Sequence, residues 1–297
     1  MDAAFALILV SLGAGFVVAR LGAVPANAAD TLNRFVIYVC LPALVLRLVP
    51  KLRFEPELAV LAITPWALLA VGVVLVLAAS RLFRFSRPVT AALLLCVPLG
   101  NTSFLGFPMI GALVSPDAIR LAVVYDQLGS FLILATYGLF VVARYSGDGK
   151  PSLRAVVLRI VKFPPFIALV VALVPFHHPA ALDSVLQRLG DALVPVAMFA
   201  VGLALKLRVP REPLAFAFGL ATKMLLFPLL VLAPCAAFGL HGLPVRVSVL
   251  ESGMPPMITA GALATMAGLA PELAAALVGY GVLLALVTLP FIAHHLH

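Results

Sequence analysis

A chain of 297 residues that is 64% hydrophobic and only 11% charged, with a mean hydropathy of +1.18, cannot cover its apolar surface as a soluble domain, where about 25% of residues are charged. The composition excludes a soluble fold and points to a polytopic membrane protein whose main partner is the lipid bilayer. The net charge of +8 does not imply nucleic acid as a partner, because the basic residues sit at the ends of apolar stretches and not along one face.

Met1 to Ala19 is apolar, and Ala26-Asn27-Ala28 resembles a cleavage site. However, Asp2 precedes the apolar run and Arg20 follows it, the reverse of a signal peptide's charge order. The segment is expected to be a retained first span with its N-terminus outside. Apolar stretches of about 20 residues, enough to cross a bilayer, are expected at 3–19, 31–49, 58–80, 88–113, 118–143, 153–175, 184–205, 213–239, 244–267 and 272–293. The fold class is thus all-α, with ten transmembrane helices. The longest polar connection, Arg144 to Arg154, divides the chain into a first five-helix repeat at 1–145, a short cytoplasmic linker at 146–152 and a second repeat at 153–297.

The halves resemble each other. Leu32-Asn33-Arg34 leads to Pro42 as Leu186-Gln187-Arg188 leads to Pro195, and Pro116-Asp117 leads to Tyr125 as Pro271-Glu272 leads to Tyr280. Features repeated in the same order indicate duplication. Five spans per half forces the second half to enter from the opposite side, the inverted-repeat plan of many secondary transporters. Arg20, Arg34, Arg81, Arg84, Arg87, Arg144, Lys150, Arg154, Lys206, Arg208 and Arg211 lie on one set of connections, against Arg47, Lys51, Arg53, Arg120, Arg188 and Arg246 on the other. The richer set is expected in the cytoplasm, leaving both termini outside.

Two spans are interrupted at corresponding places. The fourth carries Pro98-Leu99-Gly100-Asn101-Thr102-Ser103-Phe104-Leu105-Gly106-Phe107-Pro108, and the ninth Glu251-Ser252-Gly253-Met254-Pro255-Pro256-Met257. Proline opens a helix's hydrogen-bond ladder, and open backbone at membrane depth is tolerable only inside protein or against a wet cavity. Such paired breaks point to a transporter's binding site. Pro98, Asn101, Thr102, Ser103, Gly253, Met254, Pro255 and Pro256 are the candidate substrate-binding residues. For Thr102 and Ser103 the plainer alternative is helix repair, with hydroxyls bonding carbonyls freed by Pro108. If the breaks cross near the midplane, half-helix N-termini favour an anion.

Ionisable side chains inside a span cost about 2.5–3.5 kcal/mol on insertion scales. Lys223, Asp126 beside Gln127, and Glu251 are such residues, and they form the candidate coupling network. A structural ion pair is the alternative, and Asp191, nearer the end of the seventh span, can snorkel. Cys40, Cys96 and Cys235 lack metal or disulfide spacing, and His177, His178, His241, His294, His295 and His297 fall at span ends or the terminus. No metal or other cofactor is expected. No GxSxG or paired-histidine constellation indicates a membrane-embedded enzyme. A channel and a sensor are the remaining rivals to a carrier.

The run Gly100-Asn101-Thr102-Ser103-Phe104-Leu105-Gly106-Phe107-Pro108 resembles the fourth-span motif of the auxin efflux carrier family, whose plant members are the PIN-formed carriers. Leu32-Asn33-Arg34-Phe35 through Leu41-Pro42-Ala43 resembles its second span, and Met254-Pro255-Pro256 the ninth-span break of bacterial members. The resemblance implies the fold of bile-acid/sodium symporters, with broken helices 4 and 9 crossing in a transport domain of spans 3–5 and 8–10. Spans 1, 2, 6 and 7 would form a scaffold that dimerises, giving a homodimer with elevator-like movement. Asn101 and the Pro255–Pro256 break would line the substrate site. The implied substrate is a small organic anion, a mono- or dicarboxylate such as malate or malonate, in a bacterial inner membrane, with auxin-like aromatic acids as the alternative. Coupling to protons or to sodium stays open.

Overall fold

The computed structural model describes residues 3–52, 58–146, 152–174, 179–207 and 210–296, without the side chains of residues 155, 156 and 159. The expected linker at 146–152 falls mostly outside these, as do His177, His178 and His297. Among the described residues every regular element is helical: α1 (Ala3–Leu21), α2 (Ala28–Lys51), α3 (Leu58–Leu82), α4 (Arg87–Cys96), α5 (Thr102–Leu113), α6 (Pro116–Ser146), α7 (Leu153–Val161), α8 (Pro164–Ala172), α9 (Ala180–Ala204), α10 (Pro213–Ala237), α11 (Leu243–Ser252), α12 (Ile258–Met266) and α13 (Pro271–His295). Seven of them, α1, α2, α3, α6, α9, α10 and α13, are long and apolar enough to cross a membrane. The protein is an all-helical, multi-pass membrane protein.

The stretch 153–175, expected to be one span, is two helices, α7 and α8. Pro164 has no N–H to return to the preceding turn, and its ring disfavours a helical residue before it. Phe163 is accordingly extended, at φ −76° and ψ 116°. Asp191, expected nearer the end of its span, lies close to the middle of α9 and is exposed.

The chain divides into two compact units. The first comprises Met1–Glu55, Ser103–Val123 and Leu158–Leu205. Here α1 packs along the second part of α9, and α2 packs against α8 and α9. The α1–α9 approach is close: a Cβ on Gly15 would fall on the Phe199 carbonyl oxygen, and one on Gly202 on the Leu12 carbonyl oxygen. In lipid, helices are not driven together by the hydrophobic effect, so small residues that let backbones meet supply the packing. Arg47 ties α2 to the start of α9 through Asp183 at 3.5 Å and Gln187 at 3.1 Å. Gly202→Leu is expected to destabilise the protein by about 3 kcal/mol, the upper end of overpacking costs, because backbone and not a side-chain tip must yield. An unchanged unfolding midpoint in detergent would show that these helices do not touch.

The second unit comprises Pro56–Thr102, Val124–Val157 and Lys206–His297. Helix α4 is its buried centre, with every residue from Val89 to Cys96 enclosed, packed against α3, α10, α12, α13 and the last part of α6. Helix α11 lies between α3 and α10, and α12 runs along α13. Pro65 inside α3 sits where a side chain on Gly129 of α6 would otherwise be.

Candidate functional site

The site begins with what two prolines remove. Helix α4 starts with Pro88 in its first turn and stops at Cys96. Pro98 cannot donate to the Leu94 carbonyl four residues back, and the Tyr137 hydroxyl donates to it instead, at 3.1 Å. The chain becomes helical again at Thr102, in a π-helical turn, Thr102–Gly106. In the same way α11 stops at Ser252, where Pro256 leaves the Ser252 carbonyl without its helical donor. Lys223 Nζ takes that place, donating to the Ser252 oxygen at 3.1 Å.

The two interruptions are hydrogen-bonded to each other through their main chains. The Asn101 N–H donates to the Pro255 carbonyl at 2.8 Å, and the Met257 N–H donates to the Leu99 carbonyl at 2.8 Å. Together they make an antiparallel bridge between Gly100 and Pro256. Gly281 on α13 backs it: a Cβ there would lie 2.9 Å from Pro256 Cδ and 3.0 Å from Pro255 Cβ.

Charged and polar side chains gather around the bridge. Lys223 is 2% exposed and Glu251 0%. Glu251 interacts electrostatically with Asp126, Lys223 and Tyr125. Asp126 accepts from Thr102 Oγ1 at 2.5 Å and from Gln127 Nε2 at 2.6 Å. The Lys223 ammonium stands over the Phe227 ring, 5.2 Å from its centroid. It also lies against the first break, where a Cβ on Gly100 would come within 2.9 Å of Nζ. Lys223 thus touches both interruptions at once. Asp126 opens one π-helical turn, Asp126–Ser130, and Lys223 lies in another, Thr222–Leu226. Such turns occur mostly as single bulges in α-helices, frequently at functional sites.

Several polar atoms here are buried without a hydrogen-bond partner: both amide atoms of Asn101, Gln127 Oε1, Ser248 Oγ and both carboxylate oxygens of Glu251. Each such group costs about 1–3 kcal/mol when left unpaired. A cluster of them is a place where a polar ligand gains what the protein forgoes.

Among the sequence-predicted residues, Asn101, Thr102, Asp126, Gln127, Lys223, Glu251, Gly253, Met254, Pro255 and Pro256 are all buried in the second unit. Pro98 is buried too, beside Gly72 of α3. Ser103 is half-buried and belongs to the first unit. Thr102 serves Asp126 and not a carbonyl freed by Pro108. Ser252 is the hydroxyl that bonds within its own helix, to the Val249 carbonyl at 2.6 Å. Tyr137, Ser248 and Gly281 are missing from the sequence reading, and Gly100, quoted there within the first break, is not among its candidates. The carbonyl four residues before Pro98 was the signal for a donor such as Tyr137. Among the described residues no group of His, Cys, Asp and Glu is placed to hold a metal ion.

Residues 1–293 match the family model described as "Membrane transport protein". The chain is 27% identical to an "Uncharacterized transporter" of Methanothermobacter thermautotrophicus, over 96% of this chain and 94% of that protein. It is 26% identical to an uncharacterised transporter of Methanocaldococcus jannaschii, over 88% and 87%. It is 27% identical to a "Putative malonate transporter" of Rhizobium meliloti, over 81% and 78%. With paired helix interruptions, a buried charge network and a match along almost its whole length, the chain belongs to this membrane transport protein family, the auxin efflux carrier-like group, and is a membrane transporter.

Proposed function

We propose that this transporter is a secondary carrier for a small organic anion, a mono- or dicarboxylate, bound where the two interrupted segments pair. The observation that carries the reading is the Asn101 amide, 1% exposed with neither its nitrogen nor its oxygen hydrogen-bonded. An amide can donate to a carboxylate oxygen while its carbonyl serves another donor. The first turn of α12 adds backbone N–H groups that no side chain caps, and a helix N-terminus favours negative charge. The malonate assignment carried by the Rhizobium relative agrees in substrate class.

Asp126 and Glu251 are two buried acidic groups around one buried amine, Lys223, so with all three ionised the network carries one excess negative charge. An anion joining it needs a countercharge, because like charges in a low dielectric repel strongly. The substrate therefore travels with a proton or a sodium ion. Movement is of the elevator type in ten spans arranged as two inverted repeats, with both termini periplasmic in a bacterial inner membrane and a homodimeric assembly. The first compact unit carries spans 1, 2, 6 and 7 and the second carries most of the rest, a division that supports the scaffold and transport roles.

The reading is tested by charge movement in proteoliposomes with malonate, malate and indole acids, with and without sodium, at two pH values. A saturable current for one class is expected, reduced about tenfold or more in Asn101→Ala, as for the loss of one hydrogen bond to a charged group. Currents equal in the variant would move the site elsewhere. Flux of aromatic acids that neither saturates nor supports counterflow would instead mark a channel or uniporter.

A further inference from the structure

Helices α10, α11 and α13 enclose a groove of about 350 Å³, within the size range of small-molecule sites. Its walls are apolar but for Thr288 and His295. Val287, Phe291 and Leu229 line it and remain 70%, 65% and 59% exposed, so it opens on the outer surface of the unit. Both α10 and α13 are long and apolar enough to span a bilayer. The groove therefore faces hydrocarbon, and an apolar concavity of this kind stays dry. An acyl chain is what the surroundings supply to fill it.

The mouth has a different chemistry. The groove reaches His295 and Leu296 at the end of α13. There the His295 Nδ1–H donates to the Phe291 carbonyl at 2.8 Å, so Nε2 donates to a further partner when the ring is an imidazolium. The chain returns to this side of the bilayer between α10 and α11. One turn into α11 stands Arg246, whose Nε is buried without a hydrogen-bond partner. Arg246 is three residues before Val249, which lines the groove, so the two share a face of the helix. Deeper in, the Thr288 hydroxyl is also buried and unpaired. A guanidinium and an imidazolium at the same end of the groove suit a phosphate, which accepts several charge-assisted bonds at once.

The inner wall of the groove is the outer wall of the transport site. Pro228 and Ile292 line it, and a Cβ on Gly253 would meet Pro228 Cγ at 2.8 Å and Ile292 Cδ1 at 3.6 Å. Met224, also in the wall, follows Lys223 in the same π-helical turn. We propose that the groove binds the acyl chain of an anionic phospholipid, whose phosphate is held at the mouth by Arg246 and His295, and that the bound lipid buttresses the second interruption and Lys223. Only the buttressing role rests on the transport reading above; the binding itself does not.

Native mass spectrometry of delipidated protein, reloaded with phosphatidylglycerol or phosphatidylcholine of the same chains, tests the site without any substrate. One phosphatidylglycerol is expected to be retained per chain, about tenfold better than phosphatidylcholine, as for one charge-assisted contact. Arg246→Gln is expected to erase that preference, and Leu229→Trp with Val287→Trp, both on exposed positions, to lose both lipids while the protein still elutes as folded. Phosphatidylglycerol retained as before by the filled groove, or a headgroup preference surviving Arg246→Gln, would overturn the proposal.

Discussion

Lys223→Gln is expected to reduce substrate-driven current about 100-fold and to lower stability as well. The ammonium is the donor that replaces Pro256 at the Ser252 carbonyl and the buried cation that faces Glu251, which in turn faces Asp126. Removing one member of such a buried group costs about 3–5 kcal/mol, because the remaining charges are left uncompensated, and each 1.4 kcal/mol is a factor of ten. The second variant that decides the matter is Lys223→Gln with Glu251→Gln. If the network is electrostatic, the pair recovers much of the lost stability, since no unmatched charge is added, yet transport stays low. If transport returned with stability, Lys223 would be a structural counterion only. Thermal unfolding in detergent read beside proteoliposome current separates the two.

Gly100→Ala is expected to separate stability from transport in the opposite sense. The new methyl meets Lys223 Nζ at 2.9 Å and Cε at 3.3 Å, the far end of a flexible side chain, which can swing aside at small cost. Unfolding should therefore shift by less than about 1 kcal/mol, within the range of tolerated volume changes. Transport should fall about tenfold or more, because the ammonium keeps its bond but is shifted in the site, and a misplacement on the order of 1 Å costs up to about 100-fold. A variant with parental current would mean that the position of Lys223 is not what the carrier uses.

Much of the membrane architecture was legible because burial in lipid writes itself in composition. Twenty or so apolar residues between basic ends mark a helix wherever they occur, and the lengths of α1, α3 and α13 follow directly. The prolines at 98, 255 and 256 were equally legible as places where a ladder opens. Less visible was what closes it again. Tyr137 reaching Leu94 and Lys223 reaching Ser252 join residues 43 and 29 apart in sequence, and no local pattern encodes such partners. The π-helical turns that aim Asp126 and Lys223 inward were silent for the same reason: one extra residue per turn is imposed by packing and leaves no periodic mark. Pro164-Pro165 did carry a signal for the division of 153–175, as did Arg159 and Lys162 before it, but the apolar residues on either side outweighed them. Pro116, Tyr125, Pro271 and Tyr280 give the spacing on which the proposed duplication rests. The two halves differ in the one residue that follows each tyrosine, with Asp126 beside Thr102 but Gly281 beside Pro255 and Pro256.

The bridge between Gly100 and Pro256 has a consequence for how such proteins diversify. Its two hydrogen bonds run between main-chain atoms, so replacing a neighbouring side chain leaves them in place. Positions such as 101, 248 and 254 can then change without dismantling the frame that presents them. If the junction is the transport site, a lineage can exchange one cargo for another by altering a few side chains there, and selection for a new cargo need not first repair the fold.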